Sequence, residues 1–238
     1  MLAVDSIGMN FGGLVVLRDV SFAIAEGELV GLVGPNGAGK TTLFNIISGY
    51  QRPTAGRVAW QGVTVTGMAP HRLAERGLVR TFQGARVFPK LTVRECLAVA
   101  HHLTGARKQA AALADEALAT FGLDRHADEM AGALPTGMMR TLGIAMALAT
   151  GAKLLMLDEP AAGLSAEEIA HLRTVILQAH GRGTTLCVIE HNLRFLMGLV
   201  QRACVLHAGS LIADGPPETV TRDQRVIEAY LGDALADG

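Results

Sequence analysis

The sequence lacks a charge imbalance, a cysteine framework, a recognisable leader and an apolar run of membrane length. Its 238 residues carry 21 basic and 22 acidic side chains, a net charge of −1, with no long like-charge run. Overall charge therefore gives no support to a nucleic-acid-binding surface. The three cysteines, Cys96, Cys187 and Cys204, lie far apart in apolar segments. That distribution suits reduced core thiols, not a disulfide frame or a metal site, and points to the cytoplasm. The opening "MLAVDSIGMNFGG" shows no basic start followed by an apolar core and cleavage site, so no secretory signal is expected. The longest apolar stretch, around "LGIAMALATGAKLLML", is interrupted by Lys153 and is too broken to span a bilayer. Any membrane role is expected to come through a partner. Internal repeats and low-complexity linkers are also missing. What remains is 50% hydrophobic and 18% charged, enough for one sizeable domain or a domain with an inserted lobe.

The segment "VLRDVSFAIAEGELVGLV" predicts two strands with Glu26 and Gly27 in the turn, the second a continuous apolar run suited to burial. Further strands are expected around "GRVAW" and "LVRTF". From about Thr92 to Thr150 the patterns turn helical, beginning with the capping box "TVRE", in which Thr92 and Glu95 satisfy each other's backbone donors. Within this stretch an amphipathic helix is expected to place Leu113, Ala117 and Phe121 on one face, with Gly122 as its stop. Strand and helix then alternate: "KLLML", "AEEIAHLRTVILQAH", "TTLCVI", "NLRFLMGL" and the strand pair "ACVLHAGSLIADG". Such alternation predicts an α/β fold with a largely parallel sheet covered by helices.

Polar residues fall at the ends of these strands. "GPNGAGKTT", Gly34, Pro35, Asn36, Gly37, Ala38, Gly39, Lys40, Thr41 and Thr42, follows one strand and precedes a helix, with P-loop spacing. Its glycines let the backbone curl so that amide N–H groups line a phosphate, and the helix N-terminus adds a favourable dipole. Lys40 would reach the β- and γ-phosphates and the Thr41 hydroxyl would ligate Mg²⁺. The plainer reading is a Gly-rich turn with an exposed lysine. "LLMLDEP" delivers Asp158, suited to the Mg²⁺ shell, and Glu159, suited to polarising an attacking water. Pro160 and Gly163 separate this acidic pair from the next helix, which Ser165 and Glu168 already cap. Gln83, after "LVRTF", and His191, after "TTLCVIE", complete the set at the carboxyl ends of strands, where open α/β sheets bind ligands. Gln83 would sense Mg²⁺ or the attacking water and His191 would hydrogen-bond the γ-phosphate.

In order, "GPNGAGKTT", the glutamine of "RTFQ", "LPTGM", "LLMLDEP", "AAGLS" and "VIEH" resemble the motifs of the ATP-binding cassette ATPases over nearly the whole chain. The segments "NFGGLVVLRDVSF", "VRTFQGARVFPKLTVRECLAVAHH", "IEHNLRFLMGLVQRACVL" and "VIEAYLGD" are further similar to the ATP-binding subunit of branched-chain amino-acid importers. Importers for amides, urea or other small polar solutes share much of this pattern. The resemblance implies a P-loop NTPase core with a mostly parallel sheet, an antiparallel β subdomain and an inserted helical lobe. It implies one ABC ATPase domain over 1–238, with the core and its C-terminal segment at about 1–91 and 151–238 and the helical lobe at about 92–150. ATP and Mg²⁺ are the implied cofactors. Phe11 is the implied adenine-stacking aromatic, with an ordinary core Phe as the alternative.

The resemblance also implies a head-to-tail pair of ATPase domains, homo- or heterodimeric, in which each nucleotide meets the partner's signature motif. The family pattern there is Leu-Ser-Gly-Gly-Gln, whereas this chain has Leu134, Pro135, Thr136, Gly137 and Met138. Pro135 removes the serine hydroxyl and one N–H, and Met138 removes the terminal amide. Proline is tolerated in a first helical turn, where its N–H has no intrahelical partner. Thr136 stands next to the missing hydroxyl, and the Gly137 N–H remains as a donor toward the partner's γ-phosphate. Ser165 stands where the family often has aspartate, and reads either as an N-cap or as a contact across the dimer. Transmembrane permease subunits are expected to dock around Arg86 to Val93, where a surface loop with tucked-in apolar residues is the alternative. A periplasmic solute-binding protein would act indirectly, and the chain itself would lie on the inner face of the membrane. Two other readings stay open: an ATP-binding regulatory module with weak hydrolysis, and a soluble ABC-type ATPase outside a transporter.

Overall fold

The computed structural model describes residues 1–81, 87–102 and 109–236, with backbone alone for 231–236. In chain order the elements are β1 (Leu2–Phe11), β2 (Leu14–Ile24), β3 (Leu29–Val33), α1 (Lys40–Ile47), β4 (Ala55–Trp60), β5 (Val63–Thr64), α2 (Pro70–Glu75) and β6 (Leu78–Arg80). Then come α3 (Val93–His102), α4 (Ala110–Phe121), α5 (Thr136–Ala149), β7 (Leu154–Asp158), α6 (Ala166–Gly181) and β8 (Thr185–Glu190). The chain continues through α7 (Leu193–Met197), β9 (Arg202–His207), β10 (Ser210–Gly215), α8 (Pro217–Val220) and α9 (Gln224–Ala236). It divides into two compact units, Met1–Arg76 with Thr185–Gly238, and Gly77–Thr184.

The first unit holds two kinds of sheet. β3 lies between β8 and β9, parallel to both, and β10 closes one edge antiparallel to β9. β3 and β8 are buried along their whole length, which explains why β3 reads as an unbroken apolar run and β8 as an apolar centre, Leu186 to Ile189, and not as alternating strands. At Gly31 a Cβ would lie 2.8 Å from Leu196 Cδ2, so only glycine lets α7 pack onto the middle of β3. The other sheet is antiparallel, in the order β2-β1-β4-β5. β1 escapes the period-two pattern because its register shifts between Val4 and Ile7, where Ser6 takes a left-handed φ of 48°. Leu2 and Val4 precede this irregularity, Ile7 and Met9 follow it, and all four are buried. A bulge changes the parity that sequence alternation relies on.

The second unit pairs β6 and β7 in parallel and adds helices α3 to α6. The Thr92–Glu95 capping box is formed: the Thr92 N–H donates to Glu95 Oε2 at 2.8 Å and the Glu95 N–H to Thr92 Oγ1 at 3.2 Å. Gly122 ends α4 in the left-handed conformation, as its position predicts. Leu113, Ala117 and Phe121 share one face of α4 as predicted, the first two half-buried and Phe121 buried. Beside them Ala110, Ala114 and Leu118 form a fully buried row, whose small alanines permit close approach to α3, against which α4 packs. All three cysteines are buried and free, and burial pushes the Cys187 thiol up to about 12. Among the described residues no helix is long and apolar enough to cross a membrane.

Candidate functional site

In the first unit the chain leaves β3 at Gly34 and enters α1 at Lys40. Gly37 and Gly39 take left-handed φ angles of 76° and 99°, a region that costs other residues and favours glycine. A Cβ at Gly39 would also lie 2.7 Å from Leu17 Cδ2 and 3.0 Å from the Val16 carbonyl. At Gly37 nothing lies within 4 Å of the added atom, and Asn36 and Gly37 are exposed, so this side of the loop is open to a ligand. Lys40 is only 7% exposed, and its Nζ donates to the carbonyls of Gly34 at 2.6 Å and Pro35 at 2.8 Å, which holds the ammonium over the loop. The first turn of α1 contains no acid and its N-cap offers no side-chain hydrogen bond. Its positive dipole end therefore favours an anion. Thr41 is exposed and Thr42 half-buried.

His191 stands at the same sheet end, because Val33 pairs with Glu190 in the parallel register of β3 and β8. Its side chain is 55% exposed, with Nδ1 4.0 Å from Oε2 of the fully buried Glu190. Phe11 sits at the β1–β2 turn, 49% exposed, which rules out the core-Phe alternative.

In the second unit β7 is buried throughout and delivers Asp158 at its carboxyl end. Arg80 Nη2 donates to Asp158 Oδ2 at 2.6 Å, and both side chains are nearly buried. Glu159, half-buried, takes a left-handed φ of 45°. Gln83 lies outside the described residues; the Thr81 N–H, donating to the Met156 carbonyl at 2.9 Å, carries the chain one residue past β6. At the start of α5, Pro135 is the N-cap with φ −54° and ψ 152°, so its lost N–H breaks no helical bond. Thr136 is exposed, Gly137 buried and Met138 half-buried.

The Gly137 N–H donates to Glu168 Oε1 at 3.1 Å, and a Cβ at Gly137 would lie 2.8 Å from that oxygen. Glu168 belongs to the capping box of α6: its Oε2 accepts from the Ser165 N–H at 2.9 Å, and Ser165 Oγ accepts from the Glu168 N–H at 3.3 Å. Ser165 is thus an N-cap. The Ser165 backbone N–H, then the Ser165 hydroxyl and the Gly137 N–H, hold the Glu168 carboxyl below its ordinary range. Sequence reading missed Arg80 and the Glu168–Gly137 contact. The signal for Arg80 was a charge inside an apolar strand; the Glu168–Gly137 contact spans 31 residues and had none.

The profile described as "ABC transporter" matches residues 17–162, and one described as "Branched-chain amino acid ATP-binding cassette transporter" matches residues 210–236. The chain belongs to the ABC transporter family, as an ATPase domain whose relatives bind ATP and hydrolyse it to drive transport. It is 39% identical to the high-affinity branched-chain amino acid transport ATP-binding protein LivG of Escherichia coli (strain K12), over 98% of both chains. It is 36% identical to the corresponding protein BraF of Pseudomonas aeruginosa, again over 98% of both. Among solved structures, the ADP conformation of MJ1267, an ATP-binding cassette of an ABC transporter, superposes with a TM-score of 0.86 at 29% identity over 98% of both chains.

Proposed function

We propose that the chain is the ATP-hydrolysing subunit of an importer for branched-chain amino acids or a related small polar solute. One observation carries this reading: near-full-length identity of 39% to LivG, joined by the family match at residues 210–236. The whole chain, 1–238, acts as one ABC ATPase domain with a helical lobe at about 92–150. Backbone amides of Gly34 to Thr42 line the phosphates, Lys40 neutralises them, and Phe11 stacks on adenine. Thr41, Asp158 and Gln83 hold Mg²⁺. The Thr41 hydroxyl and Asp158 carboxylate are hard oxygen donors of the kind this ion takes, and Arg80 engages Oδ2 of the carboxylate. When bound, Mg²⁺ supplies charge neutralisation on the phosphates. Glu159 accepts a hydrogen bond from the attacking water, which Gln83 would also sense, and His191 donates to the γ-phosphate. Positioning and charge stabilisation then account for most of the catalysis.

A second ATPase subunit, identical or different, receives the amide of Gly137 at its own γ-phosphate, with Thr136 and Met138 flanking it. Permease subunits dock at Arg86 to Val93 on the inner face of the membrane, with a periplasmic solute-binding protein on the far side. Phe88 supports this surface: it is 47% exposed, and the segment hydrogen-bonded to its neighbours, through Ala131 to Leu91 and Gly132 to Pro89, presents the exposed Met130. Such apolar exposure suits a protein contact better than solvent. A second reading, an ATP-binding regulatory module with weak hydrolysis, draws on the engagement of the Gly137 amide by Glu168.

Uptake of labelled leucine in cells lacking the chain, complemented with wild type or Glu159→Gln, tests the proposal. Restoration by wild type alone is expected. Leucine uptake that is independent of the chain, with loss of another small polar solute's uptake, would move the assignment to that solute; the absence of any uptake that depends on the chain would overturn the importer reading. Equal restoration by Glu159→Gln would overturn the role of hydrolysis.

A further inference from the structure

Arg140 lies in the first turns of α5, and its guanidinium points at a backbone turn of its own chain. Nη1 donates to the carbonyl of Glu159 at 3.3 Å and to that of Pro160, and Nη2 donates to that of Ala162. Carbonyl oxygens gathered at one turn repel each other and need donors, and arginine supplies these in a rigid planar fork. The turn they form is an unusual one. Glu159 is held at a φ of 45°, a region that residues with a Cβ rarely occupy unless their surroundings enforce it. Relaxing to a negative φ would redirect the Cα–Cβ bond and swing the carboxylate away from its present aim.

The same end of α5 is tied a second time to the segment that follows Glu159. Glu168 accepts from the Gly137 N–H while also closing the Ser165 cap. Arg140 therefore grips the start of the segment and Gly137 its end.

We propose that Arg140 is a positioning residue for hydrolysis: by holding the carbonyls of Glu159, Pro160 and Ala162 it keeps Glu159 in the left-handed conformation that aims its carboxylate. The link makes that aim depend on where the first turn of α5 sits. It rests on the assignment of Glu159 to water activation given above.

The test measures steady-state ATP hydrolysis, equilibrium binding of ATP and thermal unfolding for the full chain and for Arg140→Ala, Arg140→Lys, Glu159→Gln and the Arg140→Ala/Glu159→Gln double variant. Arg140→Ala is expected to lower kcat about 10²-fold, the scale of a misplacement of about 1 Å, while ATP affinity stays within about threefold. Arg140→Lys, which offers a point charge in place of a fork, is expected to recover part of that loss. Once Glu159→Gln is in place, adding Arg140→Ala should change kcat no further, because both act on one group. Unchanged kcat in Arg140→Ala would overturn the proposal. So would a loss of kcat matched by equal losses of ATP affinity and folded fraction, or full additivity in the double variant. Wild-type turnover by Glu159→Gln alone would instead overturn the assignment of Glu159, a result distinct from any failure of Arg140.

Discussion

The starts of α1 and α5 are both helix N-termini at which the sequence places a phosphate contact, and they are built from different materials. The start of α1 is made of backbone: glycines in left-handed conformations, no acid in the first turn, and a lysine held over the loop by two carbonyls. The start of α5 is made of side chains: Pro135 at the cap, Glu168 on the Gly137 amide, and Arg140 on the turn after β7. A backbone cradle offers its donors to any anion that arrives. The Gly137 N–H is already shared with the Glu168 carboxylate, so any anion arriving at α5 would have to compete for it. "GPNGAGKTT" keeps the family's pattern, while "LPTGM" departs from it.

The largest expected effect lies on the side-chain-built unit. Arg80→Met leaves Asp158 buried and uncompensated, and should cost about 3–5 kcal/mol in urea unfolding; a loss under about 1 kcal/mol would show that Asp158 finds another partner. Next, Lys40→Ala should weaken ATP binding about 10²-fold in titration calorimetry, the worth of one charge-assisted contact, with little change in stability. Equal loss of stability would mean that Lys40 serves the loop more than the ligand. Ser165→Ala removes the cap of α6 and should cost about 1 kcal/mol in the same urea assay.

The smallest effect is one of pH. The hydrogen bonds to Glu168 depress its folded pKa, so their stabilisation is present above its unfolded value and is lost as pH falls through the folded one. Glu168→Gln should flatten that acid limb of the melting profile; an unchanged limb would remove Glu168 from it.

Features that depend on nearby residues were legible in the sequence. Continuous apolar runs announced β3 and β7, strand–helix alternation announced β8, and spacing alone gave both capping boxes and the glycine stop of α4. β1 was not legible, because the irregularity at Ser6 reverses its alternation. Nor was α2, a six-residue helix with a proline in its first turn and Leu73 as its buried residue. The face of α4 that carries Leu113, Ala117 and Phe121 was legible, whereas the buried row beside it was not, because its alanines carry little hydrophobic signal. In the candidate site, the places of Lys40, Asp158, Glu159 and His191 at and after strand ends were legible from the sequence. The partner of Asp158 was not, since Arg80 meets it across 78 residues. Only tertiary structure brings such pairs together.

The most direct test of the account uses light scattering on purified Glu159→Gln with and without ATP and Mg²⁺. With both present the mass is expected to double, alone or on mixing with a second ATPase subunit of the same transporter, because the start of α5 completes a partner's phosphate site despite Pro135 and Met138. A chain that binds ATP and Mg²⁺ yet stays a monomer both alone and in that mixture would contradict this reading.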